Sequence, residues 1–106
     1  EIRSICSGKW ATADGSTCAP ALSARIAGIC RSDKLYSTIT DGRFRGGWTT
    51  RRYGDPARGV HAIQLEISQS TYLSAEEPPW AYHDRKANRL RELLEALLEE
   101  ASSFKF

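Results

Sequence analysis

The chain has 106 residues, 41% hydrophobic and 26% charged, and a net charge of +2. That length admits one small domain with a modest core, and the composition is that of a folded globular chain rather than a disordered one. A balance of 15 basic against 13 acidic residues singles out no class of partner, and without a run of about eighteen apolar residues no membrane-spanning helix is expected.

The first residue is Glu1, not Met, and ordered elements are expected soon after it. No secretory leader is visible, so the sequence reads as a piece of something longer or a processed product. Residues 1–14 carry Ile2, Ile5 and Trp10 with no clean period, and are expected to form a loop. Ser16 or Thr17 suits a helix N-cap and Pro20 a first turn. Leu22, Ile26, Ile29 and Cys30 then recur at helical spacing, which predicts an amphipathic helix over about 18–31. Cys6, Cys18 and Cys30 are an odd number with no C-x-x-C pair, a poor basis for a disulfide framework or a zinc site. They read as reduced small hydrophobes of a cytoplasmic protein.

The run LYSTIT at 35–40 predicts a strand, ended by Asp41 and Gly42. Gly46 and Gly47 allow tight backbone geometry or close approach to a ligand. A short helix is expected over 48–53, with Gly54 as its left-handed C-terminal cap and Pro56 barring its extension. The strongest strand pattern is VHAIQLEIS at 60–68. His61, Ile63, Leu65 and Ile67 share one face, and Ala62, Gln64 and Glu66 the other. Residues 74–82 form a turn-rich connection. Asp84 is the expected N-cap of a final helix whose apolar stripe is Ala87, Leu90, Leu93, Leu94, Leu97, Leu98 and Ala101. Its Arg85, Arg89, Arg91, Glu92, Glu95 and Glu99 read as a solvated face without a functional role. This order of elements predicts an α/β layer architecture.

Chemistry concentrates in 42–66, which holds five of the eight glycines and five arginines. A carboxylate such as Glu66 near a strand's end is either a general base or acid facing a cleft, or a solvated or ion-paired residue on an edge strand. Gln64 shares its face, and both are costly to bury without partners. Arg51 and Arg52 are adjacent, so at most one aims at a site shared with Glu66. Arg43 and Arg45 alternate and could share a face. A guanidinium recognises a carboxylate with two parallel prongs. His61 reads as a satisfied core histidine and His83 as a surface residue near the helix start, so the chain shows no complete zinc site. Trp48 and Tyr53 line a pocket or pack in the core. R-F-R-G-G also admits an RNA-binding reading, with arginines on phosphates and aromatics stacking on bases. One such element with little net charge argues against nucleic acid.

The stretch GRFRGGWTTRRYGDPARGVHAIQLEISQSTYL resembles the C-terminal signature of the N-formylglutamate amidohydrolase (deformylase) family. That signature runs G-R-F-K/R-G-G-Y-I-T-R-x-Y-G-x-P-x-x-G-V-H-A-x-Q-x-E, with an aromatic a few residues on. TADGSTCAPALSARI resembles the segment before the family's strand. IRS at 2–4 resembles the residues that follow a zinc-binding histidine. Trp48 replaces a usual tyrosine, Thr49 a usual isoleucine, and Glu1 stands where serine often follows that histidine.

The resemblance implies that residues 1–106 form a single α/β unit, the C-terminal segment of a longer zinc hydrolase domain. The implied fold is part of a three-layer αβα sandwich similar to zinc carboxypeptidases. The implied reaction is hydrolysis of N-formyl-L-glutamate to formate and L-glutamate, in histidine degradation. By this likeness Glu66 handles the proton of a zinc-bound water and Arg51 binds a substrate carboxylate or the developing oxyanion. Gly46 and Gly47 let the loop approach the substrate, and Tyr53 joins the binding site. The family's zinc ligands lie upstream of residue 1, so the isolated piece is expected to be silent, with the upstream part of the enzyme as its partner. The competing reading within the family is a non-catalytic scaffold.

Overall fold

A computed structural model of the chain describes residues 7–11, 15–40 and 46–106, with backbone alone for 7–11 and 40. Ile2, Ile5, Cys6, Arg43, Arg45 and the expected turn at Asp41 and Gly42 lie outside the described residues. Three strands, Ser7–Ala11 (β1), Ser37–Thr40 (β2) and Gln64–Glu66 (β3), form one mixed sheet in the order β2-β1-β3. β1 runs parallel to β2, with Ser7 opposite Ser37, and antiparallel to β3, with Lys9 opposite Glu66 and Ala11 opposite Gln64.

The central strand therefore falls in the stretch expected to be a loop. SGKWA has no apolar alternation. It is a strand because neighbours on both sides satisfy its backbone N–H and C=O groups, so long-range pairing overrides local pattern. Parallel pairing of β1 and β2 requires a crossover, which the helix Pro20–Ser32 (α1) supplies.

α1 starts later than expected. Its N-cap is Ala19, with no side-chain cap, and Pro20 opens the first turn. Thr17 is buried and used elsewhere: its hydroxyl donates to the Ala62 carbonyl at 2.9 Å and its own carbonyl accepts from Ala62 N–H at 2.8 Å. The Ala19 N–H donates to His61 Nδ1 at 3.0 Å, and the His61 ring stacks on Phe106 at 4.0 Å between centroids. His61 is thus the satisfied, half-buried histidine its place in the pattern suggested.

The helix Trp48–Tyr53 (α2) has the expected bounds. Gly54 does not take the expected left-handed cap: its φ is −69° and ψ 120°, and Gly59 is the residue in left-handed geometry. What Gly54 supplies is space, since a Cβ there would lie 2.5 Å from Thr17 Cβ and 2.8 Å from Thr17 Cα. Pro56 begins a short 3-10 turn, Pro56–Arg58.

β3 is only three residues of the predicted 60–68 strand. Asp55 and Val60 bond each other across a turn and Ala62 bonds Thr17, so the lead-in has its backbone groups engaged before it reaches β1. After Ser68 the chain turns into a 3-10 segment, Gln69–Thr71.

The last helix, Asp84–Ser103 (α3), is capped by His83, whose Nδ1 accepts from Lys86 N–H at 3.2 Å. Asp84, the expected cap, is its first residue. Ala87, Leu90 and Leu97 are buried, and Leu93 and Leu94 partly so, while Leu98 is 69% exposed and Ala101 is exposed. The stripe is therefore narrower than the periodicity indicates, because Leu98 stands on the rim of an open apolar groove with Ile26, Ile63 and Leu94.

Cys18, Leu22, Ile26, Cys30 and Leu97 form the core, with Ile63, Leu65 and Phe104 packed on it. α1 and α3 thus cover the Leu65 face of the sheet. Burial of each large aliphatic chain there stabilises by roughly 1.5–3 kcal/mol. Arg89 Nη2 lies 2.8 Å from both oxygens of Asp33, tying α3 to the end of α1. Its hydrogen bond to Asp33 holds the guanidinium above its ordinary value. Among the described residues no helix is long and apolar enough to cross a membrane.

Candidate functional site

The face of β3 away from the core carries Gln64 and Glu66, because side chains alternate along a strand. Gln64 Oε1 accepts two hydrogen bonds, from Gly47 N–H at 2.8 Å and from the Thr50 hydroxyl at 3.0 Å. These bonds draw the glycine loop and α2 onto this face. The sequence places Gln64 beside Glu66, but only the fold shows what it holds. The clue in the sequence is an amide that needs partners in a strand whose other face is largely apolar.

The approach is close. A Cβ on Gly47 would lie 3.3 Å from Gln64 Oε1, and Gly46, buried, has a φ of +112° that L side chains rarely adopt. Backbone geometry thus requires glycine at Gly46, whereas at Gly47, with a φ of −88°, an added side chain would crowd the Gln64 amide by a few tenths of an ångström. The Gly46 carbonyl accepts from Arg51 Nη1 at 2.5 Å. Gly46 C=O and Gly47 N–H belong to one peptide group, so that group is held at one end by Arg51 and at the other by Gln64.

Glu66 is exposed at the end of β3, directly across from Lys9 in the sheet register. Arg51 is exposed on α2, and among the described residues its side chain bonds the Gly46 carbonyl. Among the described residues no hydrogen bond or ion pair joins Arg51 to Glu66; they are related through the Gly46–Gly47 peptide and Gln64. Arg51 and Arg52 diverge as adjacency requires, and the Arg52 guanidinium sits 5.6 Å from the Tyr53 ring centroid.

Tyr53 and Trp48 are 58% and 64% exposed and meet edge to face at 6.0 Å. They are therefore not core packing. Tyr53 makes no described contact with Gly46, Gly47 or Gln64. The apolar cavities near α1 and α3, lined by Leu65, Leu94 and Leu97, lie on the opposite face of the sheet from this polar group. They belong to the packing layer.

Cys18 and Cys30 are buried thiols, and burial pushes the Cys18 thiol up from its ordinary value. No group of three or more His, Cys, Asp or Glu among the described residues could hold a metal ion. The described residues therefore do not make a zinc site by themselves.

The arrangement is a short mixed sheet backed by two helices, with a carboxylate and a loop-held guanidinium on its other face. The chain superposes on the crystal structure of N-formylglutamate amidohydrolase from Ralstonia eutropha JMP134 with a TM-score of 0.76, at 24% identity, over 96% of this chain and 35% of that one. Residues 3–73 match the sequence profile of N-formylglutamate amidohydrolase. The chain is 45% identical over 91 residues to the N-formylglutamate deformylase of Pseudomonas putida, covering 82% of this chain and 34% of the relative. It is 47% identical over 88 residues to that of Pseudomonas aeruginosa, covering 79% and 33%. The chain belongs to the N-formylglutamate amidohydrolase family and corresponds to a C-terminal portion of it. It spans about a third of the length of the curated relatives it matches.

Proposed function

We propose that this chain is the C-terminal part of an enzyme that hydrolyses N-formyl-L-glutamate to formate and L-glutamate. The observation that carries this reading is the seating of Gly47 and Thr50 on Gln64. It brings the Arg51 helix onto the face of β3 from which Glu66 projects. In the proposed reaction Glu66 takes a proton from the attacking water as its oxygen adds to the formyl carbon. The same carboxyl returns that proton to the amine nitrogen as the C–N bond breaks. Arg51 binds a substrate carboxylate or the charge building on the attacked oxygen, for which a guanidinium has the right planar donors. Gly46 and Gly47 leave room for the substrate's approach, and Tyr53, at the end of α2, joins the substrate-binding surface.

The family likeness also implies zinc, and the described residues do not fit a ligand set. No step is therefore assigned to a metal on them. Residues 1–106 are one unit of a longer domain, within a layered αβα architecture that the upstream part completes, and by themselves release no formate. The test is formate release from N-formyl-L-glutamate by the full-length protein carrying this chain. Glu66→Gln should abolish turnover while leaving the unfolding transition in place, since Glu66 is exposed. No formate release by the full-length protein would sink the reading, full turnover by Glu66→Gln the role of Glu66, and formate release by purified 1–106 the silence of the isolated piece.

A further inference from the structure

We infer that Gln64 is the positioning residue for Arg51, acting through the Gly46–Gly47 peptide group; the inference rests on the substrate-binding role proposed for Arg51. A trans peptide is planar, with its C=O and N–H on opposite sides. Whatever fixes the direction of Gly47 N–H therefore fixes the direction of Gly46 C=O. Gln64 Oε1 fixes the first at 2.8 Å, and Arg51 Nη1 reads the second at 2.5 Å. Glycine on both sides of this peptide leaves the plane free to rotate unless something holds it. Gly46 at φ +112° lies where backbone preferences of other residues give no help. The Thr50 hydroxyl, donating to the same oxygen at 3.0 Å, occupies the second lone pair and locks α2 to β3. Thr50 is 5% exposed, so solvent does not readily replace that bond.

The consequence is a division of labour on one strand. Glu66 lies two residues beyond Gln64, on the same face. A residue without charge thus sets the distance and direction between a carboxylate and a guanidinium that do not touch. Arg51 spends one nitrogen on Gly46, and a guanidinium carries further donors with which to meet a substrate carboxylate. Without Gln64 the peptide turns, that nitrogen is released, and the long side chain regains its rotamers.

The test compares Gln64→Leu, similar in shape but with no acceptor, with the unaltered full-length protein acting on N-formyl-L-glutamate. The expected result is a loss of about tenfold to a hundredfold in kcat/KM. Combining it with Arg51→Lys should cost no more than the worse single change, since both act through one contact. Thr50→Val should lower kcat/KM and Thr50→Ser restore it, which keeps the test open should Gln64→Leu not fold. A crystal structure of Gln64→Leu, or of Thr50→Val in that event, supplies a readout independent of activity: Arg51 should leave the Gly46 carbonyl. Should the unaltered protein release no formate, the proposed function fails. The positioning role is then decided by that contact alone. Additive losses for Gln64→Leu and Arg51→Lys, or Arg51 still seated on Gly46 in the variant structure, would overturn the inference.

Discussion

Thr17 and Gly54 meet backbone against backbone, so closely that a methyl group on Gly54 would overlap the Thr17 Cβ at 2.5 Å. The same threonine bonds Ala62 through both its hydroxyl and its carbonyl. One buried residue ahead of α1 thereby gathers the end of α2 and the lead-in to β3, the two segments that carry Arg51 and Glu66. Gly54→Ala should destabilise the protein by about 1–3 kcal/mol, the usual cost of overpacking. Urea unfolding would show it as a lower midpoint with an unchanged slope. An unaltered midpoint would mean that the contact relaxes freely.

His61 should matter for stability rather than chemistry. Replacing it by alanine removes the acceptor of the Ala19 N–H at the start of α1, a loss of about 1–3 kcal/mol for a donor left unsatisfied. Phe106→Ala removes a ring that stacks on His61 and meets Phe104 edge to face but is 73% exposed, and should cost about 0.5–1.5 kcal/mol at most. Comparison of the two melting curves checks the order; a larger effect of Phe106→Ala would contradict this account.

Arg51 should show the reverse pattern. Its side chain is exposed, so Arg51→Ala should lower stability only by the lost bond to the Gly46 carbonyl, about 0.5–1.5 kcal/mol. If Arg51 binds a substrate carboxylate as proposed, KM for N-formyl-L-glutamate should rise. Arg51→Lys should rescue little of it, because an ammonium lacks the two-pronged geometry. Steady-state kinetics on the full-length protein would separate the two parameters.

The pair Arg89 and Asp33 joins α3 to the end of α1 at 2.8 Å, and Asp33 also accepts from Leu35 N–H. Arg89 is partly solvent-exposed, so a double-mutant cycle should return a coupling of about 0.2–1 kcal/mol. The coupling should shrink in high salt. A coupling that persists undiminished at high ionic strength would show the pair to be better shielded than its exposure indicates.

Cys18 predicts an alkaline loss of stability. Burial raises its thiol above the ordinary value, so the folded state keeps a proton that the unfolded state gives up. Stability is therefore fully present below the unfolded thiol value, about 8.5, and declines as pH rises above it toward the folded value. Denaturation midpoints between neutral and alkaline pH should fall less steeply for Cys18→Ala than for the unaltered chain. Alkylation at Cys18 should track unfolding.

Local chemistry marked much of this protein. The four-residue spacing of Leu22, Ile26 and Cys30 makes α1, the glycine and proline punctuation isolates α2, and the leucine repeat makes α3. The resemblance of 42–66 to a family signature anticipated the family itself. These signals are legible because each lies within a few neighbouring residues or one contiguous motif. The central strand was not legible, since Ser7–Ala11 is ordered by partners about 30 and 57 residues away and not by its own pattern. Nor was the fate of 60–68, where Thr17 and Asp55 engage the backbone groups a long strand would need. That Gln64 and Arg51 hold opposite ends of one peptide group was likewise decided only when the chain closed. Such a contact depends on direction as well as identity, and direction is set by packing across the whole domain.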